Sequence, residues 1–307
     1  MIIFMAIICV YKYNHMTQNT VIPPLRHKPF GGAWSIHDPE CTSLIAQMNL
    51  QPGNRKAFLQ DYYDWFSVGI DLQGLSQYQH VDFVAGTTET FHMFYYRHMD
   101  RRLRLFRDEY FYHHMMRRNY FKSYADLDHR TLEKNDVVVM SCPFSGHGGV
   151  PENFYDILES CERLQIPVML DMAYINISNI KALNLNYKCI ETITTSLSKI
   201  FPVENLRIGI RLERQIYDDP VHAYNQNDYV NLQSIYVGHQ LIKKFDNQWL
   251  YSKYHGAQVE ICHTLGVRPS DCVIFGIANK GMFDEYNRGG EINRLCFSKV
   301  WDGRSNV

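Results

Sequence analysis

The middle of the chain alternates between two hydrophobic patterns. Short apolar runs rich in β-branched residues predict buried strands at 80–86, 136–143, 166–174, 189–198 and 207–212. Segments 87–103 and 152–165 carry apolar residues at helical spacing and are predicted to be helices. Strands that are apolar throughout and alternate with amphipathic helices predict an α/β fold of three layers, a mostly parallel sheet with helices on both faces. In such sheets ligands bind at the carboxyl ends of the strands.

The pattern changes on both sides of this region. Residues 227–266 contain one or two long helices, and the strand-like runs "CVIFGIAN" and "INRLCFS" follow, which predicts a small α+β domain. The Pro- and Gly-rich residues 17–36 predict an extended arm instead of a packed element. We therefore expect an N-terminal arm and extended segment at 1–50, a large domain at 51–215 and a small C-terminal domain at 216–307.

The chain begins with the apolar run "MIIFMAIICV". This run is too short to span a bilayer, and it lacks the basic region and the small-residue cleavage site of a signal peptide. We favour a buried first strand, or an extension upstream of the natural start, over a signal peptide.

The charge balance argues against two classes of partner. Lys and Arg (31) nearly equal Asp and Glu (32), and no long basic face or run of like charge occurs. Neither nucleic acid nor a membrane surface is therefore an expected partner. A small neutral or zwitterionic ligand fits this balance better.

The cysteine and histidine patterns argue against disulfides and metals. The eight cysteines lie far apart without a C-x-x-C pair, which predicts free thiols in a reducing cytoplasm. The adjacent His113 and His114 would point in different directions on a regular element and make a poor chelate. We expect no metal site.

One stretch of the large domain carries unusual chemistry. The run "TTSLSKIFPVENLRIG" places Lys199 beside Ser196 and Ser198, with Arg207 eight positions later. A lysine whose pKa is lowered by burial can form a Schiff base with an aldehyde, whereas hydroxyls and a guanidinium can hold a phosphate. The stretch therefore suits a phosphorylated cofactor with an aldehyde. A surface lysine in a Ser- and Thr-rich loop is the structural alternative.

A second indication lies upstream in "LDMAY". Asp171 ends an apolar strand, where a carboxylate is costly unless it has a cationic partner or a function. A pyridinium nitrogen would be such a partner, and holding it protonated makes the ring an electron sink. Tyr174 could reach the oxygen beside the ring aldehyde. A helix cap at the exit of the strand is the alternative for Asp171.

Together these residues resemble the fold-type I pyridoxal-phosphate enzymes, the aspartate aminotransferase superfamily. In that family S-x-x-K followed by R-x-G, here Ser196, Lys199, Arg207 and Gly209, carries the Schiff base and part of the phosphate site. The resemblance covers about residues 80 to 300. It implies pyridoxal 5'-phosphate as the cofactor and Lys199 as the residue that binds it covalently.

The resemblance also assigns roles to a glycine-containing loop. In "AGTTET" the residues Gly86, Thr87 and Thr88 would receive the cofactor phosphate at a helix N-terminus. An ordinary helix cap is the alternative for this loop.

Two further residues receive roles from the resemblance. Tyr110 in "RDEYFYHHM" would stack on the cofactor ring, and Arg294 in "INRLCFS" would pair with the substrate α-carboxylate. A place in the core or on the surface is the alternative for Tyr110. A solvated arginine at a strand edge is the alternative for Arg294.

The chain also departs from the family pattern. The family commonly has an N-P-x-G turn whose asparagine bonds the ring oxygen, but this chain has "CPFSGHGG" there, so Ser145 is the nearest substitute. Met172 follows Asp171 where an acidic or small residue is common, and the chain is short for the family.

The resemblance implies an enzyme that acts on an amino acid and forms a homodimer. We favour an aminotransferase, because Arg294 suggests that the α-carboxylate is retained and Lys199 could shuttle the Cα proton. A pyridoxal-phosphate-dependent lyase or synthase of a specialised pathway is the alternative among enzymes. A catalytically degenerate member acting as a binding module is the third interpretation, although such a protein could lose Lys199. A nicotinamide-dependent enzyme is not supported, because no G-x-G-x-x-G follows an early strand.

Overall fold

The computed structural model describes residues 28–301. The helices are α1 Pro39–Gln47, α2 Arg55–Phe66, α3 Thr87–Arg97, α4 Phe111–Tyr120, α5 Phe154–Leu164, α6 Pro220–Gln226, α7 Leu232–Lys244 and α8 Trp249–Leu265. The strands are β1 Asp71–Gln73, β2 His80–Ala85, β3 Arg102–Leu105, β4 Tyr124–Asp126, β5 Asp136–Ser141, β6 Val168–Asp171, β7 Ala182–Asn184, β8 Ile190–Ser196, β9 Ile208–Glu213, β10 Arg268–Pro269, β11 Phe275–Asn279 and β12 Ile292–Cys296.

The largest sheet has seven strands in the order β2-β9-β8-β6-β5-β3-β4. Strand β9 is antiparallel to both of its neighbours, whereas the other adjacent pairs are parallel. The predicted mostly parallel sheet is therefore confirmed.

Both faces of this sheet are covered, which explains the apolar strands. In β5, Val137 and Val139 belong to one core cluster, whereas Val138 and Met140 belong to the other. Successive side chains of a strand point to opposite faces, so an interior strand needs apolar residues at every position. Helix α3 contributes to the first cluster through Phe91, and α2, α5 and α7 contribute to the second.

A second, three-stranded antiparallel sheet has the order β10-β11-β12, and α8 packs against it. This is the small sheet that the C-terminal sequence predicted. Helices α6 and α7 also follow residue 215, but they pack against β2 and α2 of the larger unit. The predicted domain boundaries stay predictions.

The segment 87–103 was expected to be one helix, and this was wrong at its end. Helix α3 stops at Arg97, and β3 begins at Arg102. The alternation of Arg and Leu in β3 lets Arg102 and Arg104 both donate to the carboxylate of Asp136, at 2.6 Å and 2.9 Å. The buried carboxylate of Asp136 on β5 thus stabilises the extended conformation of both arginines in β3.

The predicted extended arm was wrong for residues 28–36, which pack against the C-terminal part of the chain. The Phe30 carbonyl accepts the Cys296 N–H at 2.9 Å, and Ile36 is fully buried. Helix α1 follows, with Asp38 capping its N-terminus. Pro and Gly prevent regular structure here, but aromatic and aliphatic side chains can still be buried. Residues 17–27 of the arm and the apolar first ten residues lie outside the described part.

Three further observations apply to residues 28–301. No helix among them is long and apolar enough to cross a membrane. Their cysteines are free thiols and all are buried. Their His, Cys, Asp and Glu side chains form no group of three or more that could hold a metal ion.

Candidate active site

The site lies at the edge of the large sheet where three parallel strands end. Ser141, Asp171 and Ser196 are the last residues of β5, β6 and β8. Because these strands are parallel neighbours, their carboxyl ends meet at one edge. A cavity of about 60 Å³ opens there, lined by Thr87, Thr88, Tyr110, Ser141, Ser145, Asp171, Ala173, Tyr174, Ser196, Ser198, Lys199 and Arg207. It brings together every site residue predicted from the sequence except Gly86 and Arg294.

One end of this cavity has the chemistry of an anion site. Gly86 precedes α3 with φ 76° and ψ 166°, and Arg207 donates to Thr88 Oγ1 at 2.9 Å. A Cβ at Gly86 would lie 2.3 Å from Arg207 Nη2, so the guanidinium occupies the space that glycine leaves open. The first N–H groups of the helix and the guanidinium therefore face the same space.

Backbone strain and two serines complete this corner. Arg207 has φ 55°, a left-handed conformation that is costly for a residue with a Cβ and that recurs at functional sites. The hydroxyls of Ser196 and Ser198 lie 2.7 Å apart, and Ser196 Oγ donates to the Ile208 carbonyl at 3.0 Å. This network fixes both side chains in the wall of the cavity.

Lys199 follows the end of β8, and its side chain is partly buried. Lys199 Nζ donates to the Ala33 carbonyl at 2.7 Å. Burial lowers the pKa of Lys199 to about 8; Cys296 and Asp171 act in the opposite direction, and Arg294 adds to the lowering. A substantial fraction of the amine is therefore neutral near pH 8, as a nucleophilic lysine requires.

Asp171 is 5% exposed and lies at the end of β6. Its Oδ1 accepts the Ala173 N–H at 3.0 Å, and no side chain of the described residues donates to the carboxylate. Burial raises the pKa of Asp171 to about 7, although the Ala173 hydrogen bond and the charge of Lys199 lower it. The predicted alternative was a helix cap. The short 3-10 helix that follows, Ile175–Ile177, has Tyr174 at its N-cap position, so Asp171 does not cap it.

Three other predicted residues surround the cavity. Tyr110 precedes α4, is 37% exposed, and contacts the rings of Phe91 and His113 edge-on. Tyr174 is buried with its ring 5.7 Å from Lys199 Nζ. The hydroxyl of Ser145 is buried and has no hydrogen-bond partner within residues 28–301. Such a group is costly unless a ligand or water pairs with it.

Sequence reasoning missed the residues that hold this wall in place. The carboxylate of Glu109 accepts the N–H groups of Tyr110 and Ser141, at 2.7 Å and 2.8 Å, and the Ser141 hydroxyl at 2.5 Å. The Ser145 N–H in turn donates to Ser141 Oγ at 2.7 Å. Burial raises the pKa of Glu109 to about 7. The only sequence signal was an acidic residue beside Tyr110.

A second cavity of about 570 Å³ adjoins the first and shares Lys199, Tyr110, Tyr174, Ser198 and Arg207 with it. Its other lining residues come from the N-terminal segment, α4, the loop between β8 and β9, the loop before β12 and β12 itself: Gly32, Ala33, Trp34, Ser35, Phe111, Tyr112, Met115, Glu204, Asn205, Arg288 and Arg294.

Arg294 lies in this second cavity instead of the first. Its guanidinium donates to the Ser145 carbonyl at 2.5 Å and to the Gly32 carbonyl at 2.7 Å. The alternative of a solvated arginine was wrong, because Arg294 is 3% exposed although β12 is an edge strand. Its Nε has no hydrogen-bond partner in the described chain.

Comparisons with known proteins bear on this geometry. The family model of class I and II aminotransferases matches residues 91–229. A search of curated protein sequences found no match. Among solved structures, the chain is similar to tyrosine aminotransferase from Leishmania infantum, with 11% identity, a TM-score of 0.63, and coverage of 95% of this chain and 94% of that chain.

Two other similar structures carry different names. One is L-threonine-O-3-phosphate decarboxylase from Porphyromonas gingivalis, with 14% identity, a TM-score of 0.60, and coverage of 86% of this chain and 92% of that chain. The other is a pyridoxal-phosphate-bound C-S lyase from Staphylococcus hominis, with 11% identity, a TM-score of 0.62, and coverage of 92% of this chain and 91% of that chain.

These findings confirm the predicted resemblance to fold-type I pyridoxal-phosphate enzymes at the level of the fold. The C-S lyase among these structures is bound to pyridoxal phosphate. The lining of the first cavity suits that group chemically, since it presents a guanidinium and hydroxyls at a helix N-terminus, a buried carboxylate, an amine, and a buried hydroxyl that has no hydrogen-bond partner among residues 28–301. The three similar structures are named for three reactions, so the fold leaves the reaction open.

Proposed function

We propose that this chain, which has the fold of the class I and II aminotransferases, is a pyridoxal-phosphate-dependent enzyme that transfers the amino group of an amino acid. One observation carries the proposal. The amine of Lys199 and the carboxylate of Asp171 line one buried cavity together with the anion-binding corner at Arg207. Few cofactors other than one with an aldehyde, a ring nitrogen and a phosphate would use all three groups.

The geometry suggests which residues hold the cofactor. Thr88, Ser196, Ser198, Arg207 and the first N–H groups of α3 would bind the phosphate, because they form the donor-rich corner of the cavity. The carboxylate of Asp171 would face the ring nitrogen. The hydroxyls of Ser145 and Tyr174 supply donors for the ring oxygen, and Tyr110 supplies a ring at the mouth.

When bound, pyridoxal phosphate withdraws electrons from the substrate Cα, so that a bond at this atom breaks more easily. Lys199 Nζ, with its pKa lowered to about 8 by burial, is suited to accept the Cα proton and to return it at another atom. Arg294 lines the adjoining cavity, its Nε has no hydrogen-bond partner among the described residues, and it would orient the α-carboxylate.

Two other functions remain as outcomes of the test. A lyase or decarboxylase would use the same cofactor site, since proteins with both names share the fold. A binding module without catalysis would have no need for a lysine of lowered pKa beside a buried carboxylate. The retained Lys199 and Asp171 therefore favour an enzyme.

The test begins with covalent attachment of the cofactor. The purified protein supplied with pyridoxal phosphate is expected to absorb visible light, and borohydride reduction followed by peptide mapping should place the pyridoxyl mass on Lys199. Lys199→Ala should lose the label, whereas Lys181→Ala, at an exposed lysine, should keep it. A protein that stays colourless with added cofactor would refute the proposal.

An amino-donor screen then identifies the reaction. Transamination yields the keto acid of the donor with transfer of nitrogen to an added keto acid. Release of carbon dioxide would indicate a decarboxylase, and release of ammonia without an amino acceptor would indicate a lyase.

A further inference from the structure

The larger cavity contains more positive charge than the proposed reaction uses. Lys199, Arg207, Arg288 and Arg294 line it, and Glu204 is the only acidic side chain among its described lining residues. The carboxylate of Glu204 is already engaged, since it accepts the Ser35 hydroxyl at 2.8 Å and lies 2.7 Å from His37 Nε2. The cavity therefore has excess positive charge.

Three of the four cations have roles in the proposed function, which leaves Arg288. Lys199 binds the cofactor aldehyde, Arg207 its phosphate, and Arg294 the α-carboxylate. The guanidinium of Arg288 makes no hydrogen bond or ion pair with any residue from 28 to 301, and its Nε is buried.

The surroundings of Arg288 compensate its charge only in part. Burial, and after it the neighbouring Arg294, lower the pKa of Arg288 to about 9, although Tyr174, Asp108 and Glu109 act in the opposite direction. Among residues 28–301, neither Asp108 nor any other carboxylate forms an ion pair with Arg288. An arginine that lines a concave site without an ion-pair partner is costly to the fold and indicates an anionic ligand.

We propose that Arg288 binds a second anionic group on the substrate, so that the enzyme acts on amino acids that carry a distal carboxylate or phosphate. This inference rests on the proposed function and specifies its substrate class. The α-carboxylate and the distal anion would each meet one guanidinium, Arg294 and Arg288, in the same cavity.

The first experiment compares substrates with and without a distal anionic group. The pairs are glutamate and glutamine, aspartate and asparagine, and O-phosphoserine and serine, and the measured quantity is kcat/KM. The wild type should prefer the anionic member of at least one pair, and the pair with the largest ratio tells carboxylate from phosphate. Arg288→Gln should reduce that preference about 10- to 100-fold.

Three variants serve as controls. Arg288→Lys keeps the charge and should retain most of the preference. Arg107→Gln removes an arginine that is exposed and paired with Asp126, so it should leave the preference unchanged. Arg294→Lys should reduce kcat/KM for both members of a pair by similar factors. Equal losses for both members in Arg288→Gln, or no preference in the wild type, would overturn the inference.

A binding measurement separates this inference from the proposed function. Isothermal calorimetry compares glutarate, a dicarboxylate, with pentanoate, a monocarboxylate of the same chain length, and needs no turnover. Tighter binding of glutarate that Arg288→Gln abolishes would support the anion subsite even if no amino acid reacts. Equal binding of the two acids to the wild type would overturn it even in an active aminotransferase.

Discussion

Replacement of Asp171 by asparagine tests whether this carboxylate is kept for its chemistry at the expense of stability. Asparagine has nearly the same shape and can still accept the Ala173 N–H, but it cannot ionise. We expect the cofactor-free variant to be more stable than the wild type at pH 8 and to bind pyridoxal phosphate more weakly.

The magnitude follows from the pKa of the buried group. Burial raises the pKa of Asp171 to about 7, whereas an unfolded aspartate has a pKa of about 3.9. Between these values the folded protein binds more protons than the unfolded chain, so the free energy of unfolding falls as the pH rises. The loss is about 4 kcal/mol at pH 8, and about 2.5 kcal/mol of it develops between pH 5 and pH 8.

Two neighbours of Asp171 modify this expectation in opposite directions. The pKa of Glu109 is raised first by the burial of Glu109 and also by the charge of Asp171. The Asp171→Asn variant therefore relieves part of the cost of ionising Glu109. Asp171 also opposes the burial that lowers the pKa of Lys199, so its loss makes protonated Lys199 less favourable. Because the effects on Glu109 and Lys199 oppose each other, Asp171→Asn should still have the larger free energy of unfolding at pH 8.

The assay is urea denaturation of cofactor-free protein, followed by circular dichroism at several values from pH 5 to pH 8.5. The quantity compared is the difference in unfolding free energy between Asp171→Asn and the wild type, and Asp64→Asn, at an exposed aspartate, is the control. Spectrophotometric titration gives the cofactor dissociation constant of each protein. A difference that does not grow with pH, or an unchanged cofactor affinity, would show that Asp171 only shapes the turn.

Two other measurements check the phosphate corner and the assembly. Arg207→Ala should weaken cofactor binding by about 1.5–3 kcal/mol, as for a lost charged hydrogen bond, while Arg130→Ala, at an exposed arginine paired with Asp128, should not; unchanged retention in equilibrium dialysis would contradict this role. Light scattering should give twice the 36.1 kDa chain mass, because the exposed Tyr110 and Met115 at the mouth of the larger cavity form an apolar rim that a second copy could cover. A fully active monomer would contradict this expectation.

The strands and the central residues of the site could be predicted from the sequence because each has a local signature. An interior parallel strand is apolar at every position, so a polar residue at its end, such as Asp171, stands out. Lys199 and Arg207 lie in one short motif whose spacing is visible in the chain. Strand β3 was missed because alternating arginines are polar in isolation, and the buried acceptor Asp136 lies on a different strand.

The other site residues depend on contacts between distant parts of the chain. The Ala33 carbonyl that accepts the Lys199 amine is a backbone group and has no signature in the sequence. Glu109 and Arg288 are charged residues in loops, where solvent exposure is the ordinary expectation. Only the packing of distant segments around the sheet edge shows that Glu109 is buried and that Arg288 lines a cavity.

The cofactor-free site also indicates the sign of charge that its ligands should carry. Burial raises the pKa of Asp171 and lowers the pKa values of Lys199 and Arg288, so in each case the protein disfavours the charged form of its own side chain. A cationic ring nitrogen would compensate the charge of Asp171, and an anion would compensate the charge of Arg288. A covalent bond to an aldehyde would consume the amine of Lys199. Because a buried unpaired charge costs several kcal/mol, the large sheet must supply the stability that these groups remove. That cost is recovered when the ligands bind, so the same groups that weaken the free protein give the complex its affinity.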